Sequence, residues 1–127
     1  MKLTTQILKA RAGEATPQMK AVAEKERRTV EFIRDAVASG RVVIPANVNH
    51  KGLSPIGIGR ELLTKVNANI GNSALSSCPK QEQEKLRTAL KYGSDTVMDL
   101  STGGDIARIR AAILESCPAP LGTVPVY

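Results

Sequence analysis

Asn69, Met98 and Tyr127 stand 29 residues apart, each inside a short apolar run. The runs are Lys65-Val66-Asn67-Ala68-Asn69, Thr96-Val97-Met98-Asp99-Leu100 and Gly122-Thr123-Val124-Pro125-Val126-Tyr127. Each reads as a buried strand, and each interval holds one helix-sized amphipathic segment. The period predicts a β-α-β-α-β series of parallel strands, because a parallel crossover needs about a dozen residues or more and usually a helix. Equivalent strand ends then line up along one rim of the sheet. In open α/β sheets and (β/α)8 barrels that rim is where ligands bind.

The elements can be bounded from local signals. Thr16-Pro17 is a helix start, a hydroxyl cap followed by proline in the first turn, and opens a segment running to about Arg28. A second start at Thr29 leads Val30, Ile33 and Val37 along one face to a stop at Gly40. Arg41 to Ala46 reads as a strand ended by Pro45 and the polar cluster Asn47-Val48-Asn49-His50, and residues 51–60 as a Gly, Ser and Pro loop. The first crossover helix should begin near Cys78-Pro79 and run through Leu86 and Leu90 to Gly93. The second should begin near Gly104-Asp105, bury Ile106, Ile109 and Ile113, and end at Cys117-Pro118. The expected organisation is a helical region over 1–40, a strand and loop over 41–64, and parallel βα units over 65–127.

Net charge is +6, which alone would allow a phosphate-bearing or nucleic-acid partner. Basic residues alternate with acidic ones, however, as in Glu24-Lys25-Glu26-Arg27-Arg28, which marks a solvated helical face. Aromatics make up 2% of the chain, too few for a base-stacking platform, so no nucleic acid is expected. The polar stretch from Met1 to Ala12 lacks a signal-peptide core, and no run approaches about 18 apolar residues; a cytoplasmic protein without membrane association is expected. Cys78 and Cys117 belong to no CxxC pair and are expected as reduced thiols rather than metal ligands. A lone histidine, His50, cannot make a His-rich metal site. Gly57-Ile58-Gly59 fails as a dinucleotide fingerprint, because Leu62 stands where the third glycine belongs.

Three side chains could meet a ligand at the rim. Asn69 can donate and accept hydrogen bonds, suiting a heterocycle or a ribose hydroxyl; alternatively Asn67, Asn69 and Asn72 only bond loop backbone. Met98 offers a soft apolar surface to a flat ring, or simply packs in the core. Tyr127 offers a ring and a phenol, or fills a barrel core. Asp99, in an apolar strand, must be paired, and support of neighbouring strands is its expected role. Ser101-Thr102-Gly103-Gly104 could hold phosphate at a helix start, but an ordinary βα turn is the simpler reading.

Four ordered motifs carry a resemblance. Ile44-Pro45-Ala46-Asn47-Val48-Asn49-His50, Lys65-Val66-Asn67-Ala68-Asn69-Ile70-Gly71-Asn72-Ser73, Asp95-Thr96-Val97-Met98-Asp99-Leu100-Ser101-Thr102-Gly103 and Gly122-Thr123-Val124-Pro125-Val126-Tyr127 resemble signatures of the phosphomethylpyrimidine synthase family, thiamine-pyrimidine synthases of the radical S-adenosylmethionine class. The resemblance implies an α/β fold: a helical N-terminal region followed by the first parallel βα units of an incomplete (β/α)8 barrel. It implies conversion of 5-aminoimidazole ribonucleotide to the phosphorylated hydroxymethylpyrimidine, with substrate contacts at Asn69, Met98 and Tyr127. For the full-length enzyme it implies a 4Fe–4S cluster, S-adenosylmethionine, zinc and a homodimer. The family's C-terminal cysteine triplet and zinc-binding histidines have no counterpart in these residues, so no catalytic or metal-binding residue is expected here. The pattern stops on its third strand, so the sequence is expected to be an N-terminal part of something larger, weakly stable alone. The paralogous 5-hydroxybenzimidazole synthase and a non-catalytic free-standing piece are the alternatives. Anaerobic reconstitution of this polypeptide alone with iron, sulfide and S-adenosylmethionine should yield no 5′-deoxyadenosine; any turnover would overturn that expectation.

Overall fold

Three threonine hydroxyls start the first three helices. Thr5 Oγ1 accepts from Leu8 N–H ahead of α1 (Gln6–Arg11), Thr16 Oγ1 from Met19 N–H ahead of α2 (Pro17–Glu26), and Thr29 Oγ1 from Phe32 N–H ahead of α3 (Val30–Ala38). Each satisfies one of the backbone donors that a helix start leaves unpaired, a contribution of about 1 kcal/mol. The second and third follow the sequence reading; α1 was not anticipated, since its 6 residues carry no apolar stripe of useful length. At the end of α3, Gly40 takes a positive φ of 75°. Its N–H bonds Val37 O while Arg41 N–H bonds Ala36 O, the paired closure that a left-handed glycine permits.

The computed structural model describes residues 5–73 and 79–124, and the chain divides into two compact units. The first comprises residues 1–46 and 55–64. Its core joins Met19, Val22 and Ala23 of α2 to Ile33, Ala36 and Val37 of α3, with Ala10, Val42 and Ile44. The predicted strand over 41–46 is realised only as β1 (Val42–Val43), which pairs antiparallel with β2 (Ile58–Gly59). The expected loop over 51–60 therefore contains a two-residue strand. So short a strand leaves no periodicity in a sequence to read.

The second unit comprises residues 47–54 and 65–127. Strands β3 (Asn67–Ile70), β4 (Thr96–Asp99) and β5 (Leu121–Thr123) form one parallel sheet in that order. Helix α4 (Pro79–Lys91) connects the first pair and α5 (Ile106–Ser116) the second. The βαβαβ expectation holds in the described residues, with β3 beginning two residues later and reaching Ile70, β4 ending one residue earlier, β5 beginning one residue earlier, and residues 125–127 lying outside them. Gly93 ends α4 as anticipated: φ is 86°, and Ser94 N–H reaches Ala89 O. Ile70, Val97, Leu86, Ile109, Ile113, Cys117 and Ala119 are buried together, so α4 and α5 cover one face of the sheet. Each of the large aliphatic side chains among them contributes roughly 2 kcal/mol by burial, more than any single exposed polar contact.

Residues 47–54 strap the base of this unit. Asn49 N–H bonds Asn47 Oδ1 at 2.9 Å, His50 Nε2–H bonds Cys117 O at 2.7 Å, and Ser54 N–H bonds Pro118 O at 2.8 Å. Accepting carbonyls place the His50 ring proton on Nε2.

Asp99, at 0% exposure, is the polar centre of the covered face. Its Oδ1 accepts from the backbone N–H and the hydroxyl of Ser101, and its Oδ2 accepts from Arg110 Nε at 2.9 Å. Arg110 also donates to Val124 O at 3.2 Å, and Asn72 N–H donates to Ser101 Oγ at 3.1 Å. Pairing removes the cost of burying a charge in an apolar strand. Replacing Asp99 by Ala should destabilise the sheet by about 3 kcal/mol, because several buried donors lose their acceptor at once. A urea titration followed by circular dichroism measures this, and a loss below about 1 kcal/mol would show that the network is not structural.

Candidate functional site at the open face of the sheet

Side chains alternate along a strand, so the face that α4 and α5 leave uncovered carries Asn67 and Asn69 of β3, Thr96 and Met98 of β4, and Gly122 of β5. In register, Asn69 lies opposite Met98 and Met98 opposite Gly122. Asn69 is exposed and Met98 half-buried. The strands are thus not buried on both faces; Asn67 and Asn69 meet solvent while Ala68 and Ile70 turn toward the helices.

Two of the three anticipated contact residues are brought together, on neighbouring strands and at one level. Tyr127 lies outside the described residues. Gly122 was not singled out by sequence reasoning, yet it shapes the site. A Cβ there would stand 3.3 Å from Met98 Cε, tighter than a side chain comfortably tolerates, so glycine lets the methionine lie across β5. The amide of Asn69 therefore sits beside an apolar thioether surface, a pairing suited to a flat polar ring.

Hydrogen bonds link this face internally. Thr96 Oγ1–H donates to Asn67 Oδ1 at 2.9 Å, and Asn67 Nδ2–H donates to Asn69 Oδ1 at 2.8 Å. The alternative that these asparagines bond only loop backbone is not what the geometry shows for Asn67 and Asn69. The period itself carried a clue, for Asn67 precedes Thr96 by the same 29 residues that separate Asn69 from Met98.

A groove of about 530 Å³ runs along the outer edge of β3 beside α4, with Asn69, Lys85 and Thr88 in its lining. Lys85 Nζ bridges Gly71 O at 3.1 Å and Glu82 Oε1 at 2.6 Å, so its charge is balanced within the groove wall.

Other candidates are committed elsewhere. Ser101 O–H is held by Asp99, Thr102 N–H by Asn72 O at 2.8 Å, and Arg108 N–H by Asp105 Oδ1 at 3.1 Å. The Ser101–Gly104 segment is accordingly a βα turn capped by an acid, which disfavours an anion there. Cys117 is buried and its thiol donates to Ala119 O at 3.3 Å. Among the described residues no three His, Cys, Asp or Glu side chains come together as a metal would need. A cluster held by three cysteines does not fit the residues of this chain, which has two, one of them engaged and buried.

A profile of the Radical SAM ThiC family matches residues 5–127, and the chain belongs to that family. It is 56% identical over 125 residues to the phosphomethylpyrimidine synthase of Natronomonas pharaonis, covering 98% of this chain and 26% of that protein. It is 55% identical over 123 residues to the phosphomethylpyrimidine synthase of Desulforamulus reducens, covering 97% of this chain and 28% of that protein. The chain thus spans about a quarter of the length of these relatives. No helix among the described residues is long and apolar enough to cross a membrane.

Burial pushes the Cys117 thiol up, partly offset by a hydrogen bond with the Ala119 backbone. The unfolded thiol therefore ionises first, and the stability this burial contributes is intact at neutral pH and lost as pH rises above the ordinary thiol value of 9.0. With Cys78 replaced by Ser, a thiol reagent at mildly alkaline pH should label Cys117 only as fast as the protein opens. Labelling at the rate of a free thiol would contradict the burial.

Proposed function

We propose that this chain forms the substrate-side portion of a phosphomethylpyrimidine synthase acting in thiamine biosynthesis. The substrate is 5-aminoimidazole ribonucleotide, and the product is the phosphorylated hydroxymethylpyrimidine. The observation that carries the reading is the level pairing of Asn69 with Met98 on the open face of a parallel sheet. The first gives hydrogen bonds to a heterocycle or ribose, the second an apolar bed for a flat ring, with Tyr127 closing the contact set from the same chain period.

Family membership and the names of the relatives support the reaction class. In the full-length enzyme a 4Fe–4S cluster and S-adenosylmethionine supply the radical, zinc completes the metal content, and the barrel closes around the open face as a homodimer subunit. The residues of this chain bind and orient the substrate; the cluster ligands are outside their chemistry. The three parts of the domain organisation are then a helical region over 1–40, a connecting segment over 41–64 and the first barrel strands over 65–127.

The test is made in the intact polypeptide in which this sequence occurs. Asn69→Ala should raise the Kd for 5-aminoimidazole ribonucleotide about tenfold or more, and Met98→Ala by a similar factor, without a change in thermal midpoint. Isothermal titration calorimetry reads the affinities. Both variants binding within twofold of the parent would sink the assignment.

A further inference from the structure

We infer that Thr96 and Asn67 are positioning residues that fix the Asn69 side chain with its amide N–H groups, not its oxygen, turned toward the ligand. The inference rests on the reading above that Asn69 meets the substrate.

The three side chains share the open face: Thr96 opposes Asn67 in register, and Asn67 and Asn69 are alternate residues of one strand. The hydroxyl of Thr96 donates to Asn67 Oδ1 at 2.9 Å, which turns the Asn67 amide nitrogen toward Asn69, where it donates to Oδ1 at 2.8 Å. One lone pair of Asn69 Oδ1 is thereby taken and the oxygen is held facing Asn67. Its two N–H groups have no acceptor among the described residues, and they lie at the end of the relay nearest the C-terminal ends of the strands. An asparagine left to itself presents donor or acceptor equally well; this one is committed to donating. The ligand atom it recognises is accordingly an acceptor lone pair, either on an unprotonated ring nitrogen or on a sugar oxygen. Ordering the amide before binding also removes part of the side-chain entropy that binding would otherwise cost.

The experiment compares substitutions in the intact polypeptide, reading Kd by calorimetry and kcat and KM by turnover. Thr96→Val, which keeps the shape but removes the hydroxyl, should raise Kd and KM about tenfold with kcat unchanged, and Thr96→Ser should restore both. Asn67→Asp should be worse than Asn67→Ala: a carboxylate at that position accepts from Asn69 and turns the amide oxygen toward the ligand, whereas alanine only loosens it. Asn67 is exposed, so these two variants still fold should Thr96→Val not. If Asn69→Ala itself binds normally, the reading of the site fails. If Asn69→Ala is weakened while Thr96→Val and Asn67→Ala match the parent, the relay fails and the site reading stands. Asn67→Asp binding as tightly as the parent would overturn the donor assignment. Ribose 5-phosphate as a second probe separates the sources: a Thr96→Val effect on the full nucleotide alone puts the acceptor on the ring, and an effect on both puts it on the sugar. Either result upholds the relay.

Discussion

The carboxylate of Asp99 is the constraint on which the sheet depends. Left unpaired in its apolar surroundings it would cost several kcal/mol, so it must gather donors. It takes them from Ser101 and from Arg110 on α5, and through them it reaches Asn72 after β3 and Val124 after β5. The C-terminal ends of all three strands are tied to one charge. An aliphatic residue of similar size would fill the space without that demand, but it would leave the three strand ends unlinked. The demand for partners is what sets the rim in one geometry.

From that rim the two faces of the sheet diverge in purpose. Leu86, Ile109 and Ile113 press against Val97 and Ile70 and supply the apolar stabilisation. The opposite face carries amide, hydroxyl, thioether and a glycine, groups that contribute little to a core. Simple alternation along β4 divides the two faces, Val97 and Asp99 inward, Thr96 and Met98 outward.

The βαβαβ order was legible because its signals are local and repeated. The 29-residue interval, the glycine stops at Gly40 and Gly93, and the spacing of Ile109 and Ile113 each have one physical cause, while Ile106, expected to be buried with them, is only half-buried. What escaped depends on partners distant in sequence. Helix α1 is held by the core of α2 and α3 and has little pattern of its own. Strand β2 exists only because β1 lies beside it. The alternation in β3 was masked because Asn67 and Asn69 flank Ala68, too small to announce an inward face. That Asn69 and Met98 lie level on neighbouring strands was legible through the repeat; Gly122 was passed over because a missing side chain matters only when a neighbour needs its room. Asp99 was read correctly as a supporting residue, since a charge in an apolar strand admits few other roles.

The strap formed by residues 47–54 has one more implication. It docks on the sheet through His50 and Ser54, yet both of its flanks belong to the helical unit, so the backbone passes between the units at three peptide links. Neither unit is a continuous stretch of polypeptide. A truncation starting at Lys65 would keep every strand of the parallel sheet and still strip the carbonyls of Cys117 and Pro118 of their donors. Cutting the link after Thr64, by contrast, would leave the strap without a peptide connection to the strands it serves. Interlacing of this kind means that no single cut divides the chain into its two units, whatever boundary a sequence comparison might suggest.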